Sequence, residues 1–345
     1  MRRRGRIELT LTCSSSREQL RDGRRDPVDV WLASLRVVFP LGRCAGRIPA
    51  LGKPGLDDVE SAVSTDDPSY SAKFSVDVPT PARMYNYGLG GKDNYAVDRA
   101  AVRAINARFP EALDATRANR LFLYRVVRFL ARDAGISQFL DLGSGLPTQH
   151  NVHQVAQQFR PDAHVVYVDN DPIVLTHGRA VLAENEYTTV IAQDMTKPDE
   201  VLDHPEVRRI IDFTQPVAAL FLSVPHSIPD DEMARHTIGT ITDALVSGSY
   251  VALSQFVGAD QQTADEFTAI MHSVGMKWRS RTPDQVKAFV SGLEPVEPGM
   301  VNVMDWRPDP TQPPLDPVDP ALQSDIGAST ERELAREFGG VLRKP

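Results

Sequence analysis

Residues 138–148 read Gln-Phe-Leu-Asp-Leu-Gly-Ser-Gly-Leu-Pro-Thr, and no other stretch constrains the fold as much. A short apolar strand runs into a turn carrying Gly143 and Gly145, and a carboxylate, Asp141, stands two residues before the first glycine. Glycines at such a turn let the backbone bend tightly and approach a ligand, as nucleotide-type cofactor sites require. A carboxylate beside the turn repels a pyrophosphate and attracts the ammonium and sulfonium of S-adenosylmethionine. The third residue after Gly145 is Thr148, so the dinucleotide fingerprint G-x-G-x-x-G is incomplete. The turn predicts a methyl-donor site rather than a nicotinamide site.

The rest of the pattern is consistent with that reading. Strands are expected at 139–142, 164–169, 188–193, 217–223 and 250–255, with helices between them near 152–159, 172–184, 230–246 and 263–274. Such alternation implies a mainly parallel sheet covered by helices on both faces. A further strand is expected around 301–306, then an extended loop over 307–320 with six prolines. Residues 330–337 look helical, and 340–344 read as a last strand returning antiparallel. Upstream, Thr80-Pro81 opens a helix that the glycines at 88–91 end, Asn94 can cap the next near 95–108, and 115–133 has helical apolar spacing.

In an open α/β sheet, ligands bind beyond the carboxyl ends of the strands. Asp141, Gly143, Ser144 and Gly145 follow the first strand. Asp169 closes the second, 24 residues beyond Gly145, where a carboxylate can accept both ribose hydroxyls, with Asn170 beside it. Asp194 and Met195 close the third, an acid for the adenine amino group and a thioether for the ring face. Ser223 and His226 close the fourth; His226 is the candidate base for an acceptor that must lose a proton, and a loop histidine with a satisfied ring is its alternative. Asp171 before Pro172 reads as a helix N-cap. In the run 83–95, Tyr85 and Tyr87 on a short helix before three glycines suggest an aromatic lid, with Lys92 able to hold the donor's carboxylate. Packing aromatics and a helix stop would explain the run equally well.

The chain resembles a bacterial family of S-adenosylmethionine-dependent methyltransferases first catalogued as a domain of unknown function. The carriers are Pro81-Ala-Arg-Met-Tyr-Asn-Tyr-Gly-Leu-Gly-Gly-Lys-Asp-Asn-Tyr95, Arg117-Ala-Asn-Arg120, Asp141-Leu-Gly-Ser-Gly-Leu-Pro-Thr148, Val168-Asp-Asn-Asp-Pro172, Pro298-Gly299 and Trp306-Arg-Pro308. The resemblance covers about 79–309, with an echo at 339–345. It implies the Rossmann-like, seven-stranded class I methyltransferase sheet with helices on both faces and a helical N-terminal lid, and it puts Gly143, Gly145 and Asp169 at donor-binding positions. Asn86, Pro225 and Gln255 depart from the expected pattern, and Asn86 and Gln255 are expected to bear on the acceptor side.

Domain organisation follows from texture. Residues 1–78 show no sustained period and read as a disordered or loosely packed extension. The methyltransferase domain is expected over 79–345: a helical leader at 79–135, the core at 136–306, and a Pro-rich loop with a terminal strand at 307–345. Eleven Arg and five acids make residues 1–50 net +6, whereas the remainder, with 27 Lys and Arg against 41 Asp and Glu, is net −14. That acidic body argues against nucleic acid as an obligatory partner. Two cysteines, Cys13 and Cys44, point to no disulfide framework or Cys-based metal site and make the cytoplasm the expected compartment. No apolar run reaches the roughly 18 residues of a membrane span. The expected activity is transfer of a methyl group from S-adenosylmethionine to an oxygen or nitrogen of a small molecule. A non-catalytic donor-binding sensor or complex partner is the alternative.

Overall fold

The computed structural model describes residues 75–181 and 185–345. Most of the extension expected at 1–78, including both cysteines, lies outside the described residues.

The helical leader comprises α1 (Pro81–Gly88), α2 (Ala96–Asn106) and α3 (Glu111–Arg128), the last continued by one π-helical turn, Phe129–Asp133. Asp98 is the joint between α1 and α2. Its Oδ2 accepts the Tyr95 N–H at 2.8 Å, capping α2, while Oδ1 accepts from Thr80 N at 3.1 Å and Arg83 Nε at 3.0 Å. The expected cap, Asn94, instead donates to Asn86 Oδ1 and the Gly91 carbonyl, closing the glycine turn.

The core alternates as expected: β1 (Gln138–Leu142), α4 (Val152–Ala156), β2 (His164–Asp169), α5 (Pro172–Val181), β3 (Thr188–Ala192), α6 (Pro198–Leu202), α7 (Pro205–Ile210), β4 (Ala218–Leu222), α8 (Asp231–Ala244), β5 (Tyr250–Gly258) and α9 (Gln261–Ser273). Two two-residue strands, β6 (Glu294–Pro295) and β7 (Val301–Asn302), precede the long β8 (Ala335–Arg343). The sheet runs β3-β2-β1-β4-β5-β8-β6, with β7 also paired to β8. β1 to β5 are parallel and β8 is antiparallel to β5 over nine positions, Tyr250 opposite Arg343 through Gly258 opposite Ala335. This is the class I methyltransferase sheet, with its last edge position shared by β6 and β7.

Alternation along each strand divides the core in two. Leu140, Val166, Ala219 and Leu253 pack on the face covered by α8, whereas Phe139, Val165, Ala218 and Leu220 pack under α3. A third apolar cluster seats α1 and α2 against Phe256, Phe267 and Trp278. The arginines of α3 hold the Pro-rich segment: Arg125 donates to the Trp306 and Val303 carbonyls at 2.9 and 2.6 Å, and Arg117 to that of Asp316 at 3.1 Å. The segment read as helical at 330–337 is corrected. A single turn at Ala328–Glu331 stops, and from Ala335 the chain is strand, because the ladder to β5 outweighs the local helix propensity of Leu334–Glu337.

Candidate functional site

The carboxyl ends of β1 to β5 and the starting end of β8 face one cavity of about 1070 Å³, roofed by α1, α2 and the start of α3. Gly143 and Gly145 both have left-handed φ, +72° and +66°, at the end of β1. A Cβ on Gly143 would stand 2.8 Å from Val224 Cγ1, whereas one on Gly145 would meet nothing within 4 Å. The first glycine is therefore required by the fold, and the second leaves room above the turn.

Asp169 braces that turn. Its Oδ2 accepts the Gly145 N–H at 2.8 Å and its Oδ1 that of Asp171 at 2.9 Å, while Asp171 Oδ1 caps α5 through Ile173 N at 2.9 Å. Burial raises Asp169 to about 6 despite these bonds. Asp141, 5% exposed, is pushed up to about 7 by burial, against the opposing pull of the Arg120 guanidinium. Asp194 Oδ1 is engaged by the amide and hydroxyl of Thr196 at 2.9 and 2.8 Å, and Met195 packs partly into the core beside it. Asn170 and Ser144 complete this end of the wall, and the hydroxyls of Ser144 and Thr148 are buried without a hydrogen-bond partner among the described residues. Open space over Gly145, unsatisfied hydroxyls and three carboxylates at successive strand ends fit a cationic ligand with ribose and amino-acid groups.

At the other end, Tyr85 reaches down from α1. Its hydroxyl donates to the Thr116 carbonyl at 3.1 Å and accepts from Asn119 Nδ2 at 2.9 Å, and burial raises its pKa above the ordinary tyrosine value. Asn119 Oδ1 in turn accepts from Ser254 Oγ at 2.6 Å, which accepts the Ser223 N–H at 2.8 Å. Ser223 itself has a left-handed φ of +60°, a strained position at the end of β4. Beyond it the wall is apolar, formed by Val102, Ile105, Leu113, Phe256, Phe267 and Met271.

Two sequence-based assignments are corrected. Lys92 is exposed and takes no part in the cavity wall, because the turn that Asn86 and Asn94 close carries it outward. Arg120 is a buried cation of the wall, donating to the Gln149 carbonyl at 2.6 Å and to Asn151 Oδ1 at 3.3 Å. His226 does line the cavity, but not as a base. Its ring stacks on Trp278 at 3.5 Å, and its Nδ1 accepts the Phe256 N–H at 3.3 Å. Burial and the nearby Arg281 hold its pKa well below the usual histidine range, so the ring is neutral and its lone pair is committed to the backbone. Asn86 and Gln255, expected to bear on the acceptor side, do not line the cavity. Gln255 is fully buried, donates to the Arg279 carbonyl and accepts from Arg281, and Asn86 packs against Gly91. Asn119, Arg120 and Glu337 are among the wall residues to which the sequence alone assigns no role; the first two lie in the Arg117–Arg120 run.

A class I methyltransferase is what this sheet order and strand-end site define. The S-adenosyl methyltransferase family model matches residues 68–345, and the chain belongs to that family. A candidate methyltransferase from Thermobifida fusca YX is 40% identical, spans 82% of this chain and 99% of its own, and superposes with a TM-score of 0.68. A DUF574 family protein from Streptomyces avermitilis MA-4680 is 37% identical, with 79% and 100% coverage and a TM-score of 0.67. No curated protein matches the chain. The enzyme is S-adenosylmethionine-dependent and has a methyl acceptor as its second substrate. Among the described residues no helix is long and apolar enough to cross a membrane.

Proposed function

We propose that the enzyme methylates an oxygen or nitrogen of a small molecule with an apolar body, and that residues 79–345 are its catalytic unit. The observation that carries this is the two-ended cavity: about 1070 Å³, at the upper end of small-molecule sites, which run from about 300 to 1,000 Å³. One end is lined with carboxylates and unsatisfied hydroxyls, the other with aliphatic and aromatic side chains.

Bound S-adenosylmethionine supplies an electrophilic methyl carbon and a thioether leaving group. In this reading Asp169 and Asn170 hold the ribose, Asp194 and Met195 the adenine, and Asp141 the ammonium. Arg120, Ser144 and Thr148 receive the carboxylate in the place that Lys92 was expected to fill. Gly143 and Gly145 keep the turn low, and Tyr85 with Ser223 stands where the donor end meets the acceptor end. His226 and Trp278 hold the wall rigid between the two ends, so the acceptor meets a fixed surface. Alignment of this kind supplies roughly 7–11 kcal/mol of a bimolecular barrier. The scarcity of cysteine supports action in the reducing cytoplasm.

The test is twofold: calorimetric titration with S-adenosylmethionine, then release of S-adenosylhomocysteine with a panel of small phenols, aromatic amines and carboxylic acids. Binding together with turnover on one of these classes is expected. Donor binding with no turnover on any of them would favour the sensor reading instead.

A further inference from the structure

Glu337 is a buried carboxyl of the cavity wall. It is 2% exposed, yet one carboxyl oxygen, Oε1, has no hydrogen-bond partner. No ion pair engages it among the described residues. Burying an unpaired carboxyl lowers stability, and structural roles are ordinarily filled by a paired or apolar residue. Its orientation is nevertheless fixed. β8 sets Glu337 opposite Phe256 on β5, and its carboxyl lies beside the side chains of Ser254 and Ser223. Ser254 is held by Asn119, which also holds the Tyr85 hydroxyl. The carboxyl therefore stands where the polar donor end of the cavity gives way to the apolar end.

We propose that Glu337 is the general base of this enzyme, taking the proton of an O–H or N–H acceptor whose apolar or aromatic body lies against Phe256, Phe267 and Met271. This rests on the methyl-transfer reading above and adds a catalytic residue to it. The Glu337 carboxylate takes the proton, and the pair from the acceptor's X–H bond forms the new X–CH3 bond. The pair of the S–CH3 bond that breaks stays on sulfur, giving neutral S-adenosylhomocysteine.

The groups facing Glu337 suit the role. Tyr85 from α1, Ser223 after β4 and Ser254 on β5 are all neutral at pH 7, and the Tyr85 phenol is the one titratable group whose charge couples to it. His226, held by Phe256, is neutral as well. Burial raises Glu337 to about 8, near the pH at which a base both exists ionised and drives proton transfer well.

The experiment compares the full-length enzyme with Glu337→Gln, which keeps shape and loses basicity. Calorimetry at pH 7.5 in buffers of different ionisation enthalpy counts the protons released on binding S-adenosylmethionine and, separately, S-adenosylhomocysteine. A sulfonium beside a half-protonated carboxyl expels its proton, and a neutral thioether does not. The wild type is expected to release more protons with the donor than with the product. Glu337→Gln should lose at least half of that difference while its donor affinity stays within about tenfold of wild type. With para-substituted phenols as acceptor probes, kcat should fall by roughly 10²–10⁴-fold, and least for phenols already ionised at the assay pH. An undiminished proton difference in the variant, or unchanged kcat, would overturn the proposal. Failure of the wild type to bind donor would overturn the methyl-transfer reading, and this one with it.

Discussion

The two ends of the cavity are built on different plans. The donor end is local and repetitive: each polar residue lies at or next to the carboxyl end of a parallel strand, Asp141 one residue before the end of β1, Asp169 the last of β2, Asp194 just past β3. The acceptor end is assembled from distant pieces: Tyr85 from α1, Asn119 from α3, Ser223 and Ser254 from neighbouring strands, and Glu337 from the last strand of the chain. The donor end spends its hydrogen bonds on its own backbone turns. The acceptor end spends them between elements and leaves one carboxyl oxygen unmatched. A shared co-substrate is met by a rigid loop-end constellation, and the variable partner by a wall whose chemistry depends on how the leader helices seat.

Four measurements bear on this division, from the largest effect to the smallest. Asp169→Ala removes charge-assisted bonds to ribose and the brace on Gly145. Donor binding by calorimetry should weaken by about 2–3 kcal/mol, and unaltered affinity would dissolve the donor-end assignment. Gly143→Ala forces a Cβ against Val224 at positive φ, and chemical denaturation should show a loss of about 1–3 kcal/mol. Gly145→Ala shares the positive-φ strain but meets no clash, so it should lose less stability than Gly143→Ala and more donor affinity. If both glycine variants unfold alike, the second glycine is not reserved for a ligand.

The third concerns pH. The folded-state pKa values of Asp169, Asp141 and Glu337 are raised to about 6, 7 and 8, above the roughly 4 of unfolded carboxyls. The native state therefore holds extra protons between those limits, and the stability they contribute, full below about pH 4, is lost as pH rises from there through the folded values. Thermal melts without ligand should fall from pH 5.5 to 8.5, and the increase produced by S-adenosylmethionine should grow over the same range. A melting temperature that climbs with pH would contradict the raised pKa values of these buried carboxyls. Last, Lys92→Ala should leave donor affinity within a factor of two, since the side chain points to solvent; a clear loss would return Lys92 to the donor site.

What was legible in the sequence divides along the same line. Parallel strands announce themselves as apolar runs, and the residues that follow them are fixed in place by the sheet, so Asp141, Gly143, Gly145, Asp169 and Asp194 could be placed together from spacing alone. Glu337 could not. Its segment, Leu334-Ala335-Arg336-Glu337, has helix-forming composition, and only nine positions of pairing to β5 make it a strand. Lys92 was misplaced for the converse reason. A glycine turn shows that the chain bends but not which way, and the Asn86–Asn94 bond that decides it spans two elements. His226 was found in the right place by its position after β4, but its stacking on Trp278 and its bond to Phe256 depend on tertiary packing that spacing does not encode.

In the proposed reading, donor recognition at Asp169 and acceptor activation at Glu337, where the polar end gives way to the apolar one, are separable. The most direct measurement is the dissociation constant of S-adenosylmethionine for Asp169→Ala and Glu337→Gln, determined side by side at pH 8 in the full-length enzyme. The expected result is a loss of about thirtyfold or more for Asp169→Ala and less than tenfold for Glu337→Gln. The reverse order, or equal losses in both, would contradict it.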